Sequence, residues 1–175
     1  NYDIREVLQQ HHRENPEVYF YGAVPIDFKK CSVSSTLCKI NLKQHMDTGK
    51  YKIGSVFNLD DHDEPGSHWV SLYMELKPCC RENPSIYYFD SIADKPTKEI
   101  KKLVDNLSEQ YKSMTGEDME FLYNDIQHQK RNTECGIYSI HFITSMLEGK
   151  DFDDYIKEIK RDDYMEKYRD FYYIR

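Results

Sequence analysis

The sequence predicts an α+β domain, on three observations. Residues 68–76 alternate, with Trp69, Ser71 and Tyr73 against Val70, Leu72 and Met74, the two-residue period of a strand. Ile100, Leu103, Val104, Leu107 and Tyr111 recur at helical spacing and form one apolar stripe. From Glu134 to Leu147 the apolar residues run nearly all round (Ile137, Tyr138, Ile140, Phe142, Ile143, Met146), the mark of a helix buried in the middle of a domain.

Taken in order, Asp3 is placed to cap a first helix with Ile4, Val7 and Leu8 on its apolar face, ending before Pro16. Val18 to Phe28 is aromatic and β-branched but carries Gly22 and Pro25, so a strand running into a loop is expected. Asn41 to Gly49 reads as a short helix with a polar cap and a terminal glycine. Strands follow at Ile53–Leu59, His68–Leu76 and Ile86–Phe89, separated by a polar turn (60–66) and a connection (77–84). Thr97 opens the periodic helix, Met119–Tyr123 alternates as a strand, and the buried helix begins near Glu134. In the charged tail, Phe152, Tyr155, Ile156 and Ile159 suit one amphipathic helix, with another beyond Asp162.

Composition limits what such a domain does. The 175 residues include 24 Lys+Arg against 31 Asp+Glu, a net charge of −7 that disfavours a general nucleic-acid binder. Fifteen Tyr, eight Phe and one Trp are rings that need burial, and they argue against disorder. Apolar runs are far shorter than the roughly 20 residues that span a bilayer, and no signal peptide is apparent in a chain that starts at Asn1. One soluble, monomeric domain is expected. The five cysteines (Cys31, Cys38, Cys79, Cys80, Cys135) are odd in number and irregular in spacing, which points to a reducing compartment and to passive thiols at the first four. No CxxC or HExxH is present, so no metal and no cofactor is expected.

The chemistry centres on Cys135-Gly136 at the entrance to the buried helix. A thiol there sits near unpaired N–H groups and the positive end of the macrodipole, which favour the nucleophilic anion. Gly136 leaves room for a substrate backbone. Such a nucleophile needs a base, and the base an orienting group. His68 opens one strand and Asp90 closes the next; antiparallel pairing would bring imidazole and carboxylate to one sheet edge. The Cys135 backbone N–H is one oxyanion donor, and spacing alone leaves Gln127 and Gln129 as candidates for the second.

GSHWVSLYMEL (66–76), IYYFDS (86–91) and QKRNTECGIYSIHFI (129–143) resemble the papain-like cysteine peptidases that include the SUMO proteases and adenovirus protease. In that family His-Trp opens a strand, Asp or Asn ends the next, and Gln lies six residues before Cys-Gly at the head of the central helix. The resemblance implies a papain-like fold with a mixed or antiparallel central sheet. It implies His68 as base, Asp90 as orienter, Gln129 as oxyanion donor, Cys135 as nucleophile, and Trp69 with Gly136 lining a groove for small residues such as Gly-Gly. On it, residues 1–175 form one peptidase domain with a catalytic core at about 51–148 and an N-terminal portion, 1–50, to which no role transfers. VFNLDDHDEPGSHW and HQKRNTECGIY look most like the peptidases of large DNA viruses, the group containing the African swine fever polyprotein protease.

The sequence departs from the cellular enzymes in having a single Trp, so a roof over Gly-Gly would come from within 20–28, and in a longer connection between His68 and Asp90. The resemblance implies a thiol endopeptidase cleaving after small residues at Gly-Gly-X and maturing a viral polyprotein in the host cytoplasm, virus factory or virion. The alternative is an isopeptidase removing ubiquitin or a related modifier in cytoplasm or nucleus. An acetyltransferase with the same triad and a silent modifier-binding module are the remaining readings. Elsewhere, His141 reads as a satisfied core histidine, and His62 and His128 as solvated loop residues. The Tyr-rich tail (164–173) reads as packing or a partner surface.

Overall fold

The computed structural model describes residues 4, 6–10, 15–32, 34, 36–78 and 81–172. Residues 6–10 are helical; the Asp3 cap, Cys79 and Cys80 lie outside the described residues. The elements that follow are β1 (Val18–Pro25), a 3-10 turn (Leu37–Lys39), α1 (Leu42–Asp47), β2 (Lys52–Asn58), β3 (Trp69–Glu75) and β4 (Ser85–Phe89). The chain continues through α2 (Lys98–Thr115), β5 (Glu120–Tyr123), α3 (Cys135–Leu147), α4 (Phe152–Lys157) and α5 (Asp162–Tyr172). The strands form one mixed sheet in sequence order. β3 runs antiparallel to both β2 and β4, while β1 and β5 run parallel to their neighbours at the two edges.

The alternation read from the sequence decides which helix covers which face. Val70, Leu72 and Met74 of β3 join Ile86 and Tyr88 of β4 against Ile100, Leu103, Val104 and Leu107 of α2. Tyr73, Tyr87 and Phe89 face the other way, onto Ile137, Tyr138, Ile140 and Phe142 of α3. With both faces covered, α3 has α4, α5 and the 6–10 segment on its outer side, which is why its sequence is apolar all round. That same cluster takes in Ile4, Val7, Leu8, Phe152, Tyr155 and Met165, so segments near both ends of the described chain share one apolar core with the central helix.

Local signals account for the boundaries. Thr97 caps α2, its hydroxyl accepting from the Ile100 N–H at 3.3 Å, and Gly116 ends the helix in the left-handed region. Asn41 caps α1 in the same way, accepting from Gln44 N–H at 3.1 Å. Gly54 is dictated by packing, because a Cβ there would lie 2.7 Å from the Phe20 ring.

At 18–28 a strand does run into a loop: β1 ends at Pro25, which pairs with Asn58, and Gly22, at φ 81°, absorbs a register shift against β2. Three expectations give way. Helix α4 stops at Lys157, leaving Ile159 outside it and 53% exposed. Cys31 and Cys38 are not passive thiols but a disulfide, with Cα atoms 5.4 Å apart inside bridging range. An odd total does not forbid one local pair. His128, expected in solvent, is buried beneath α4, its Nε2 bonded to the Ile156 carbonyl at 3.0 Å. No helix among the described residues is long and apolar enough to cross a membrane.

Candidate active site

His68 is delivered by the turn between β2 and β3. Asp60 closes that turn, its carboxylate accepting from the Ser67 N–H at 2.6 Å and the Ser67 hydroxyl at 2.9 Å. The His68 carbonyl then accepts from Leu59 N–H at 2.9 Å. Gly66 is required in this turn: its φ is +85°, and a Cβ would sit 2.6 Å from Asn58 Nδ2.

Asp90 lies one residue past β4 and is fully buried. The antiparallel register pairs Ser71 with Phe89, which sets the start of β3 beside the end of β4. His68 Nε2 donates to Asp90 Oδ1 at 2.8 Å, and the same oxygen accepts from Ile92 N–H at 2.9 Å. Asn124 holds the Asp90 backbone at both ends. Its Oδ1 accepts from Asp90 N–H at 2.9 Å and its Nδ2 donates to the Asp90 carbonyl at 2.6 Å.

Cys135 is the first residue of α3 and 7% exposed. The buried Ser71 hydroxyl donates to the Ser139 carbonyl at 3.0 Å. Ser71 is three residues beyond His68 and Ser139 one helical turn beyond Cys135, so this bond, worth about 1 kcal/mol, fixes the helix against the strand that carries the histidine. Glu134, the residue before Cys135, makes no side-chain cap bond; its Oε1 pairs with Arg169 Nη2 at 3.1 Å instead. The N–H groups at the head of α3 are thereby left without a side-chain acceptor from that position.

The imidazole is bonded to Asp90 and lies within electrostatic reach of Cys135. Burial opposes its charged form, but Asp90 and then Cys135 outweigh that and raise the ring to about 10. Burial and then the Asp90 charge push the nearby Tyr88 hydroxyl well above its usual range, so it stays neutral.

Gln129 is 2% exposed. Its Oε1 accepts from the Ser91 hydroxyl at 2.6 Å and its Nε2 donates to the Arg131 carbonyl. The alternative, Gln127, is exposed and donates to the Gln129 carbonyl at 2.7 Å, supporting the loop from outside. Asp162, at the start of α5, accepts from the N–H groups of Lys130 and Arg131 at 3.1 Å each, so the last helix pins the loop that leads to Cys135.

Trp69 and Gly136 come together: a Cβ at Gly136 would lie 3.9 Å from Trp69 Cδ1, an ordinary contact. Trp69 also lines a cleft of about 320 Å³, as do Ala23, Val24 and Pro25 at the end of β1 and Asp61, His62 and Glu64 of the following turn. His141 is a buried histidine bonded through Nδ1 to the Tyr155 hydroxyl at 2.9 Å, and His62 pairs with Asp27 at 2.7 Å. No cluster of three or more His, Cys, Asp or Glu side chains suited to a metal ion occurs among the described residues.

His68, Asp90 and Cys135 thus converge, Gln129 is buried on the loop that leads to Cys135, and Trp69 borders the cleft. Asn124, Ser91 and Asp162 were not legible in advance. Each is an ordinary polar residue until pairing places it; the parallel register Tyr88↔Tyr123 is what sets Asn124 beside the end of β4.

Comparison with known proteins gives a consistent result. The putative thiol protease R355 of Acanthamoeba polyphaga mimivirus is 37% identical over 154 residues, 88% of this chain and 49% of that protein. Cysteine protease S273R of African swine fever virus is 28% identical over 116 residues, 66% of this chain and 41% of that one. The chain therefore spans half or less of the length of these curated relatives. The crystal structure of the African swine fever virus pS273R protease shares the fold, with a TM-score of 0.84 at 21% identity over 97% of this chain and 64% of that one. The SUMO protease Ulp1 with its catalytic cysteine oxidised to a sulfinic acid shares it at a TM-score of 0.57 and 18% identity, over 88% and 70%. The model of the Ulp1 protease family, C-terminal catalytic domain, matches residues 56–174, and this chain belongs to that family.

Proposed function

We propose that this chain carries the working site of a thiol-dependent endopeptidase, with Cys135 as nucleophile, His68 as proton carrier, Asp90 as its orienter and Gln129 as an oxyanion donor. The observation that supports it most is the His68–Asp90 bond at 2.8 Å with Cys135 as the ring's other partner, three residues far apart in sequence meeting at one place. In this reading the Cys135 sulfur attacks the scissile carbonyl and the oxyanion is held by the Gln129 amide and the Cys135 N–H. The imidazolium then gives its proton to the leaving amine as the C–N bond breaks. Water, deprotonated by the ring, releases the acyl group and restores the thiol.

Trp69 lies beside Gly136 at the head of α3, which supports a groove for small residues and, with it, cleavage after Gly-Gly. The relatives are viral, and a precursor polyprotein in an infected cell is the substrate class that fits them. A second reading, removal of a ubiquitin-like modifier, is favoured by relatives named SUMO-1 cysteine protease and by the likeness to an Ulp1 domain in complex with Smt3, the yeast orthologue of SUMO. Wild type is expected to cleave an internally quenched Gly-Gly-Ala peptide and Cys135→Ala to be inactive; a Cys135→Ala protein that still cleaves overturns the assignment. Exclusive labelling of Cys135 by one propargylated modifier would replace the polyprotein reading with the isopeptidase one.

A further inference from the structure

We propose that Ser91 is a positioning residue for the oxyanion site, holding the Gln129 carboxamide so that one of its N–H groups stays free for the substrate oxygen. The proposal rests on the peptidase reading and adds a residue to it. The orientation of the amide follows from its partners' chemistry. The Arg131 carbonyl can only accept, so the nitrogen of Gln129 faces it, and Oε1 then needs a donor. The Ser91 hydroxyl, itself 1% exposed, is that donor at 2.6 Å. A carboxamide has one oxygen and two N–H groups; these two bonds account for the oxygen and one N–H, leaving the other.

Ser91 also holds the backbone beneath that side chain. Its carbonyl accepts from His128 N–H at 2.9 Å and from Gln129 N–H at 2.8 Å. Because Ser91 follows Asp90, two adjacent residues past one strand serve the two halves of the chemistry: the carboxylate orients the imidazole, and the hydroxyl orients the amide. Without the hydroxyl, Oε1 is buried with no donor. The amide torsion, broad and roughly two-fold, then has nothing to choose its rotamer on that side.

Ser91→Ala is expected to lower kcat on the Gly-Gly-Ala peptide by about tenfold, short of the hundredfold or more that removing a donor brings, with KM changed less than about twofold. Alkylation of Cys135 by iodoacetamide, which draws on the thiol and imidazole but on no oxyanion, should keep its wild-type rate. Ser91→Thr should recover kcat, and Ser91→Ala should cost nothing further in a Gln129→Ala background. Unchanged turnover, a full multiplicative loss in the double variant, or slowed alkylation in parallel with turnover would each overturn the proposal. If wild type turns over the peptide, Cys135→Ala does not, and Ser91→Ala equals wild type, the positioning role fails while the peptidase reading stands.

Discussion

Replacing Asn124 by alanine tests how the orienting carboxylate is held. Asn124 is 2% exposed and spends its whole amide on the chain. It accepts from Asp90 N–H at 2.9 Å and donates to the carbonyls of Asp90 at 2.6 Å and Ile126 at 3.2 Å. The losses are unequal. The Asp90 carbonyl keeps a second donor, Ala93 N–H at 2.9 Å, so it loses one bond of two, whereas the Asp90 N–H is orphaned in a fully buried site. An orphaned buried donor costs about 1–3 kcal/mol and each of the two further lost bonds about 1 kcal/mol, so Asn124→Ala should destabilise by about 3–5 kcal/mol in urea unfolding. Turnover should fall as well, because the Asp90 backbone fixes the carboxylate that holds His68. Asn124→Asp is the sharper control: it has the same shape and keeps the acceptor for Asp90 N–H, but it turns an oxygen toward two carbonyls. If hydrogen bonding is the cause, Asn124→Asp is at least as damaging as Asn124→Ala. A destabilisation below about 0.5 kcal/mol for Asn124→Ala, or a wild-type-like Asn124→Asp protein, would refute the reasoning, since buried unpaired groups cost more than that.

Asp90→Asn keeps an acceptor for the ring but removes the charge. The imidazole, raised from its ordinary 6.5 to about 10, is fully protonated below 6.5 and loses its proton as pH climbs through 10, so the alkaline limb of kcat/KM should move to lower pH in the variant; a limb that stays put would show that Asp90 does not set the ring's charge. Burial and the neighbouring Lys160 and Lys150 lower His141 to about 4. The folded state therefore binds fewer protons than the unfolded chain between those values, and stability present above pH 6.5 is lost on acidification, by about 3 kcal/mol at pH 4. His141→Gln should flatten that part of the stability profile, and an unchanged acid slope would assign it to other groups.

The strands and helices were readable wherever burial imposes a period. The alternation at 69–74 named both faces of the sheet, and the apolar residues running nearly all round 137–147 announced a helix enclosed on all sides. His68 and Asp90 were legible as a pair because antiparallel neighbours bring a strand's start beside its partner's end. What stayed hidden depends on contacts between distant segments. Nothing local marks His128 as buried; only α4 passing over it does so. Ser71 reads as one more alternating residue until its hydroxyl meets Ser139. Cys31 and Cys38 were misjudged by counting thiols across the chain, when bridging depends only on how near two of them lie.

The Asp162 clamp has a practical consequence for anyone trimming this chain. A fragment stopped after α3 would retain the histidine, the carboxylate, the glutamine and the cysteine. It would lose the carboxylate that fastens 130–131 and the rings of Tyr155 and Phe152 that back the cysteine's helix. The shortest piece worth expressing is thus set by the scaffold rather than by the reactive residues. Its C-terminal cut belongs after α5, and its N-terminal cut before the segment that contributes Ile4, Val7 and Leu8.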